Sequence, residues 1–386
     1  MKRIYMDHSA TTPLDPQVLQ AMLPFFSEKF GNASSLHSFG LEAKEALEDS
    51  RERVAKLLGA DPEEIVFTSG GTESDNLALK GIARRNRGLG RHIITTQMEH
   101  PAILETCRKL GKEGFEVTYL PVTSQGLVEP AALEAAIRPD TILISVMHAN
   151  NEVGTIQPIE EIGRIAAEKD IYLHSDAVQS VGKIATDVNA LGVDLLSLSA
   201  HKLYGPKGVG ALYIRRDTKI ESIMQGGGHE RGLRSGTENI PGIVGLGRAA
   251  ELCRERMDAD GQRLTKLSAR LAGEVLEKIK DAWVNGSMKR RLPGSLNFGF
   301  KYVEGESLLL FLDSKGIAVS TGSACSSHKL EPSHVLLSLG LKPEECHGSL
   351  RITMGRSNTE EEVDYVASCI VEAVDRFRGI SALGRD

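Results

Sequence analysis

The 386-residue sequence is 41% hydrophobic, which is enough apolar material for a large core and a second, smaller one. Its 46 basic and 52 acidic residues give a net charge of −6, so no global basic field favours nucleic acid or an anionic membrane as a partner. We therefore expect two domains and a small-molecule substrate.

The N-terminus reaches a charge and an imidazole, Asp7 and His8, before the hydrophobic segment of a signal peptide forms. No later apolar run approaches the roughly 18 residues that a membrane span requires. These features predict a cytoplasmic protein. The five cysteines are odd in number and contain no Cys-x-x-Cys pair, which argues against a disulfide framework and a zinc site. Those on predicted helices should be buried and structural: Cys107, Cys253 and Cys369.

From about residue 60 to 215, short β-rich apolar runs alternate with helical patterns, which is typical of βαβ units. The predicted strands cover residues 64–68, 92–96, 116–120, 141–146, 171–174, 195–198 and 210–214. Helices such as the one predicted over 158–169 should join them into a mostly parallel sheet with helices on both faces. Ligands of such sheets bind beyond the carboxyl ends of the strands.

A loop rich in glycine and arginine follows over residues 226–239, and it is either an anion-binding loop or a surface tether. A helical pattern then runs from about 244 to 280, with a predicted break at 258–261, and leads into a second region. In that region strand and helix patterns alternate, which indicates an α+β fold. The strands are predicted over 295–298, 316–320 and 349–353, and the helices over 306–315 and 360–376.

The segment 68–76 follows a strand and opens a helix, as a phosphate-binding turn does. Gly71 lets the backbone approach an anion, the N–H groups of the first helical turn point at it, and Thr72 adds a hydroxyl donor. The segment matches neither the Walker pattern nor Gly-x-Gly-x-x-Gly. An ordinary helix start with a threonine cap is the alternative.

Lys202 lies where the strand over 195–198 runs into a glycine-rich turn. Loss of solvation at a strand end favours the nucleophilic amine, which can hold a carbonyl cofactor as a Schiff base. Asp176 follows another strand 26 residues earlier, and its carboxylate could keep a pyridine nitrogen protonated at the same sheet edge. The alternatives are a solvated lysine and an aspartate that caps the turn over 177–179.

His100 closes the strand over 92–96 and precedes a helix that begins at Pro101. Its imidazole could stack on a planar cofactor and move protons near neutral pH, and the alternative is a helix-capping histidine. Asn151 stands near another strand end, where its amide could bond a ring substituent. A phosphate turn, a histidine, an aspartate and a lysine at four strand ends together favour pyridoxal phosphate as the cofactor.

Cys325 lies in a run of small residues, 320–327, which cannot build a core and should form an exposed, mobile loop. The neighbouring His328 and Lys329 would favour its thiolate form, so Cys325 is the candidate reactive thiol. Arg351, on a predicted strand, could bind a substrate carboxylate through two parallel hydrogen bonds. A surface ion pair is the alternative for this arginine.

Together these motifs resemble the cysteine desulfurases of the NifS/IscS type over nearly the whole chain. The resemblance is carried by residues 5–13, 31–35, 68–76, 99–101, 149–154, 176–179, 199–202, 234–237 and 322–325. Single motifs are shared with other pyridoxal phosphate enzymes of aminotransferase class V. The Ser-Ala-Cys loop with its continuation over 330–334 is specific to the desulfurases.

The resemblance implies a homodimer with the aspartate aminotransferase-like fold, fold type I. This is an α/β fold with a mostly parallel sheet, helices on both faces and a smaller α+β domain. The large domain, which binds pyridoxal 5'-phosphate, would span residues 16–244. The small domain would combine residues 1–15 with 245–386 and carry the mobile cysteine loop at about 320–332.

The resemblance also implies the site residues, with no metal among them. Lys202, Cys325 and His100 would be catalytic. The cofactor would be bound by Gly71, Thr72, His100, Asn151, Asp176, Gln179, Ser199, Ala200, His201, Lys202 and, from across the dimer, Thr237. The substrate would be bound by Asn32, Asn151 and Arg351.

The implied activity converts L-cysteine to L-alanine and leaves the sulfur as a persulfide on Cys325. The sulfur would then pass to an iron–sulfur scaffold or to another sulfur-acceptor protein. Two alternatives stay open. One is a related pyridoxal phosphate lyase or class V aminotransferase, for example acting on selenocysteine, for which Cys325 is dispensable. The other is a non-catalytic α/β scaffold whose glycine-rich loop binds a nucleotide.

Overall fold

A computed structural model of the protein describes residues 3–321 and 332–380. The strands are β1 (Ile4–Tyr5), β2 (Ile65–Thr68), β3 (His92–Thr96), β4 (Glu116–Leu120), β5 (Thr141–Ser145), β6 (Tyr172–Asp176), β7 (Leu195–Ser199), β8 (Gly210–Ile214), β9 (Ala282–Val284), β10 (Ser295–Phe300), β11 (Ile317–Ala318) and β12 (Ser349–Thr353). The helices are α1 (Pro16–Met22), α2 (Pro24–Ser27), α3 (Ser38–Leu58), α4 (Gly71–Arg85), α5 (Pro101–Lys112), α6 (Pro130–Ala136), α7 (Ile159–Glu168), α8 (Val188–Leu191), α9 (Ile240–Lys278), α10 (Gly305–Ser314), α11 (His334–Ser338), α12 (Pro343–His347) and α13 (Glu360–Ile380).

The largest sheet has the strand order β2-β8-β7-β6-β5-β3-β4. Its strands are parallel except for β8, which runs antiparallel to both of its neighbours. The mostly parallel sheet is therefore confirmed, and every strand that the apolar runs predict in it is present. All residues of β3, β5 and β7 are buried, as expected for strands that are covered on both faces.

Both faces of this sheet are packed against helices. Ile94 and Leu196 belong to a core that includes residues of α3 and of the first part of α9. Their strand neighbours Ile93 and Leu195 belong to a second core that includes residues of α4 and α5. Successive residues of a strand point to opposite faces, so this division confirms helices on both sides of the sheet.

A smaller antiparallel sheet, β12-β10-β9, and the parallel pair β1-β11 form the rest of the β-structure of the described residues. A separate apolar core joins them to α10, α13 and the second part of α9. The N-terminal strand thus packs with C-terminal elements, and Asp7 forms a further bridge with Thr353. The predicted domain boundaries at residues 15/16 and 244/245 stay predictions.

The break that we predict at residues 258–261 is wrong, because α9 is one continuous helix of 39 residues. A glycine inside a helix costs only about 1 kcal/mol relative to alanine. That cost is offset by packing at both ends of α9, where Leu252 lies in the core of the large sheet and Leu264 in the core of the small one. Asp260, within the predicted break, also accepts a hydrogen bond from Arg356 Nε at 2.7 Å.

The strand predicted over 316–320 is shorter than expected, since only Ile317–Ala318 pairs with β1. Ser320 instead forms an isolated bridge with Arg351. None of the helices within residues 3–321 and 332–380 is long and apolar enough to cross a membrane. The cysteines that we expect to be structural are buried, as predicted: Cys107, Cys253 and Cys369.

Candidate active site

The carboxyl ends of β6 and β7, the start of α4 and the start of α5 surround one cavity of about 380 Å³. Ser9 and Ala10 of the N-terminal segment also line it. Ten of the predicted site residues are brought together here: Gly71, Thr72, His100, Asn151, Asp176, Gln179, Ser199, His201, Lys202 and Arg351.

The start of α4 forms an anion-binding corner of the cavity. Gly70 has a φ of 147°, in a region that favours glycine, and it leads the chain directly from β2 into the helix. The first hydrogen bond of this helix runs from Ser74 N–H to Gly70 O at 3.1 Å. The N–H groups of Gly71 and Thr72 precede that bond and point out of the helix end, next to Ser199. Such a helix N-terminus can bind a phosphate.

Lys202 lies in a short turn directly after β7. Its Nζ donates hydrogen bonds to the backbone oxygens of Ser9 and Ala10, the latter at 2.7 Å. In the same turn, His201 Nδ1 lies 3.1 Å from Thr11 Oγ1. Burial and the charge of Lys202 lower the pKa of His201 to about 4, so this imidazole is neutral at pH 7. The N-terminal segment is therefore held against the amine of Lys202.

Asp176 is the last residue of β6, and its side chain is almost fully buried at the cavity. Its Oδ1 accepts a hydrogen bond from Val178 N–H at 2.9 Å. Burial raises the pKa of Asp176, and the charges of His100 and Lys202 oppose this rise. The carboxyl group therefore caps the following turn, as one explanation from the sequence has it, and it also lines the cavity. Its role toward a pyridine nitrogen stays a prediction.

His100 likewise has two roles. It is the N-cap of α5, where its Nδ1 accepts a hydrogen bond from Ala102 N–H at 3.1 Å. Because Nδ1 is the acceptor, the neutral imidazole carries its proton on Nε2. Burial lowers the pKa of His100, and the carboxyl group of Asp176 opposes this effect. His100 thus caps a helix and supplies an N–H group to the cavity wall.

Arg351 is buried on β12, so the surface ion pair suggested as an alternative is wrong. Its Nη2 donates to Asp7 Oδ1 at 2.8 Å, and its Nη1 donates to the backbone oxygen of Asn151 at 3.3 Å. Its Nε has no hydrogen-bond partner among the described residues. Arg351 therefore brings a buried donor to the cavity, with part of its hydrogen-bonding capacity already used.

Asp75 also lines the cavity, and sequence reasoning missed it as a site residue. It is 1% exposed, and its Oδ1 lies 3.7 Å from His174 Nε2. Burial and the neighbouring Asp176 raise the pKa of Asp75 well above its usual range. The signal that could have found it is spacing, because Asp75 follows Gly71 by four positions and so lies on the same face of α4.

Four predicted site residues are not among those that line the cavity. Asn32 is exposed, and its Oδ1 accepts a hydrogen bond within its own turn. Ala200 is fully buried, and its N–H donates to Val209 O at 3.1 Å. Thr237 is exposed on the glycine-rich loop. Cys325 lies outside the described residues.

Comparison with known proteins identifies the family of this chain. The aminotransferase class V family matches residues 4–366. The cysteine desulfurase IscS of Dictyoglomus turgidum is 54% identical over 382 residues, which cover 99% of this chain and 97% of that protein. The human cysteine desulfurase is 51% identical over 386 residues, which cover 99% of this chain and 84% of that protein.

Solved structures agree with these relatives. A NifS-like protein with 43% identity superposes with a TM-score of 0.92 and covers 97% of this chain and 100% of its own. SspA, solved in complex with cysteine, has 38% identity and a TM-score of 0.82, and covers 93% of this chain and 100% of its own. This chain therefore belongs to the aminotransferase class V family and, within it, to the cysteine desulfurases.

Proposed function

We propose that this protein converts L-cysteine to L-alanine and transfers the sulfur, as a persulfide on Cys325, to an acceptor protein. Pyridoxal 5'-phosphate would be bound in the cavity at the strand ends. The observation that carries the proposal is that Lys202, Asp176, His100 and the open start of α4 line this single cavity. The relatives named as cysteine desulfurases, at 54% and 51% identity, support cysteine as the substrate.

The residues of the cavity fit this cofactor in three respects. The N–H groups of Gly71 and Thr72 can bind its phosphate. The Nζ of Lys202 can bond covalently to its aldehyde, and the buried carboxyl group of Asp176 can hold a proton at its ring nitrogen. When bound, pyridoxal phosphate supplies an electron-accepting ring that stabilises negative charge on the Cα of an amino acid.

The side chains around the cavity suggest how the substrate is handled. Arg351 has an unpartnered Nε–H among the described residues, and we propose that it binds the carboxylate of cysteine. We assign this contact to Nε, because it is the nitrogen of this guanidinium that has no partner among the described residues. Lys202 Nζ is the group that removes the Cα proton and returns a proton later in the cycle. His100 would exchange a proton with the sulfur through its Nε2.

The sulfur step rests on Cys325, whose role comes from the sequence. Its thiolate attacks the sulfur of cysteine, an S–S bond forms, and the C–S bond of the substrate breaks. The carbon that loses sulfur takes up a proton and becomes the methyl group of alanine. No external oxidant or reductant is needed, because the oxidation of sulfur to a persulfide balances the reduction of carbon.

We also propose a homodimer that serves iron–sulfur cluster assembly and other sulfur transfer. Exposed apolar side chains within residues 19–41 support the dimer: Leu19, Leu23, Phe26, Phe30, Leu36, Phe39 and Leu41. Two of them, Phe30 and Phe39, lie 5.5 Å apart between ring centroids. A surface of this kind is usually covered by another protein. In such a dimer, the exposed Thr237 would contact the partner's phosphate.

Spectroscopy and product analysis of the purified protein test the proposal. The protein should show a visible absorption band and form a borohydride-reducible adduct, and Lys202→Ala should abolish the adduct. Cys325→Ala should keep the colour but lose sulfide release from cysteine in the presence of a thiol reductant. Lys169→Ala, at an exposed position, is the control.

The alternatives give different results in the same experiment. A colourless protein without an adduct on Lys202 would favour a nucleotide-binding scaffold and contradict the cofactor assignment. Sulfide release that is unchanged in Cys325→Ala would contradict the persulfide step and favour a lyase. Chromatography should detect alanine as the carbon product of the wild-type protein in an amount equal to the sulfur released.

A further inference from the structure

We propose that Lys183 is a positioning residue that fixes the side-chain amide of Gln179, so that Gln179 presents an N–H donor to the cavity. Gln179 lines the cavity and Lys183 does not. The inference rests on the proposed function, because it assigns Lys183 an effect on the bound cofactor. In this proposal, Lys183 acts on the cofactor only through Gln179.

Two hydrogen bonds define the orientation of the amide. Lys183 Nζ donates to Gln179 Oε1 at 3.0 Å, and Gln179 Nε2 donates to the backbone oxygen of Ser9 at 2.9 Å. The backbone carbonyl oxygen of Ser9 can only accept, so this bond alone places Nε2 toward Ser9 and Oε1 toward Lys183. Lys183 Nζ then donates to Oε1 in the same orientation of the amide. Nε2 has two hydrogens, and one of them remains for a ligand in the cavity.

The backbone oxygen of Ser9 links this amide to the cofactor-binding amine, because Lys202 Nζ donates to the same oxygen. Gln179 Nε2 and Lys202 Nζ therefore converge on one atom. An N–H donor beside Lys202 stabilises an oxygen that carries negative charge, such as the ring oxygen of pyridoxal phosphate. The reversed amide would place Oε1 there and repel that oxygen. Burial and the charge of Lys202 lower the pKa of Lys183 to about 7. In its ammonium form, Lys183 also polarises the amide and strengthens its N–H as a donor.

The surroundings of Lys183 show how this side chain is accommodated. It is partly buried and faces a second, smaller cavity of about 40 Å³, which His8, Ser295 and Arg356 also line. His8 Nε2, Ser295 Oγ and Arg356 Nη1 have no hydrogen-bond partner among the described residues. A cavity of this size and polarity can hold water, which would satisfy the remaining donors of Lys183.

The chemistry of His8 favours water over an anion in this small cavity. Its Nδ1 lies 3.0 Å from the backbone oxygen of Thr353, so Nδ1 is the donor of that bond. Burial lowers the pKa of His8 to about 4, which leaves the ring neutral and Nε2 an acceptor. A water molecule can donate to His8 Nε2 and accept from Lys183, whereas an anion cannot donate.

The test follows the visible band of the holoenzyme as a function of pH. Lys183→Met keeps the apolar stem of the side chain and removes the donor. Without this donor, the amide of Gln179 is no longer fixed, and the ring oxygen of pyridoxal phosphate would keep more negative charge. A proton bound next to that oxygen would then be held more strongly. The pH midpoint of the band should therefore rise by about 0.5 unit or more, as expected for the loss of one hydrogen bond. Lys169→Met removes the same charge at an exposed position and should leave the midpoint unchanged.

A double-mutant cycle separates positioning from a direct effect of charge. In Gln179→Leu, the further change Lys183→Met should not move the midpoint, because the amide through which Lys183 acts is gone. An equal shift in both backgrounds would overturn the proposal, and so would an unchanged midpoint in Lys183→Met. Lys183→Leu, which also removes the donor, is the second variant if Lys183→Met does not fold, and the same rise of the midpoint is expected. A wild-type protein without the band would contradict the proposed function instead.

Discussion

Arg51 and Glu230 form a buried ion pair with two hydrogen bonds, Nη1 to Oε2 and Nη2 to Oε1, each 2.8 Å long. Their side chains are 4% and 3% exposed. Glu230 Oε2 also accepts from Phe67 N–H at 2.8 Å, and Glu230 has a left-handed φ of 46°. The pair therefore fastens the glycine-rich loop, which carries Thr237, to α3 and β2.

We expect Arg51→Met to lower the free energy of unfolding by about 3–5 kcal/mol, because the carboxylate of Glu230 would stay buried without its counter-charge. Thermal unfolding of the holoenzyme measures the effect. Arg53→Met is the matched control, since Arg53 is 33% exposed and pairs with Asp49 and Glu251. It should cost about 1 kcal/mol or less. Equal losses in the two variants would contradict the importance of the buried pair.

The two roles of His100 can be separated by two substitutions. His100→Ala removes both the cap of α5 and the N–H group in the cavity, so it should lower stability by about 1 kcal/mol and kcat by about 100-fold or more. Asparagine is a good N-cap, so His100→Asn should restore the stability and leave kcat low. Thermal unfolding and alanine production measure the two effects. Restored kcat in His100→Asn would argue against proton transfer by the imidazole.

Asp176 and Asp75 both line the cavity, and we expect the function to depend mainly on Asp176. Burial and the neighbouring Asp176 raise the pKa of Asp75 well above its usual range, so asparagine resembles its protonated form. Asp75→Asn should lower kcat by less than about tenfold. Asp176→Asn removes the carboxylate that would hold the proton of the ring nitrogen and should lower kcat by about 100-fold or more. Steady-state kinetics of both variants check this order, and the reverse order would contradict it.

Stability should depend on pH through Glu99, which is fully buried. Its Oε1 accepts from Thr96 Oγ1 at 2.8 Å and from Met147 N–H at 2.9 Å. Burial raises the pKa of Glu99 from 4.5 to about 8. The folded state therefore keeps a proton that the unfolded state loses above about pH 4.5. The stability that this group contributes falls as the pH rises from about 4.5 to about 8.

Glu99→Gln tests this dependence, because glutamine resembles the protonated acid. The variant and the wild type should be similarly stable near pH 5. At pH 8.5 the variant should be the more stable by about 2–5 kcal/mol. Unfolding in urea at both pH values gives the comparison. A constant difference between the two proteins at both pH values would show that Glu99 does not titrate in this range.

Local sequence is sufficient to predict the strands of the large sheet and several residues at their ends. The apolar runs have the length and the breaks of buried parallel strands, so their positions are encoded locally. Because parallel strands end at one edge of a sheet, the order of these runs along the chain is enough to expect that His100, Asp176 and Lys202 meet there. The residues immediately around Lys202 and Cys325 are likewise enough to predict a Schiff-base lysine and a reactive thiol at these two positions.

Contacts between segments that are distant along the chain depend on the tertiary structure instead. The bond from Lys202 Nζ to the oxygen of Ser9 spans 193 positions, and no local pattern indicates it. The burial of Asp75 depends in the same way on the strands packed against α4. The continuity of α9 through Gly261 results from packing in two cores, which outweighs a local preference of about 1 kcal/mol. The hydrophobic periodicity of the sequence shows which side of a helix or strand is buried. Which elements pack against that side depends on the folding of the whole chain.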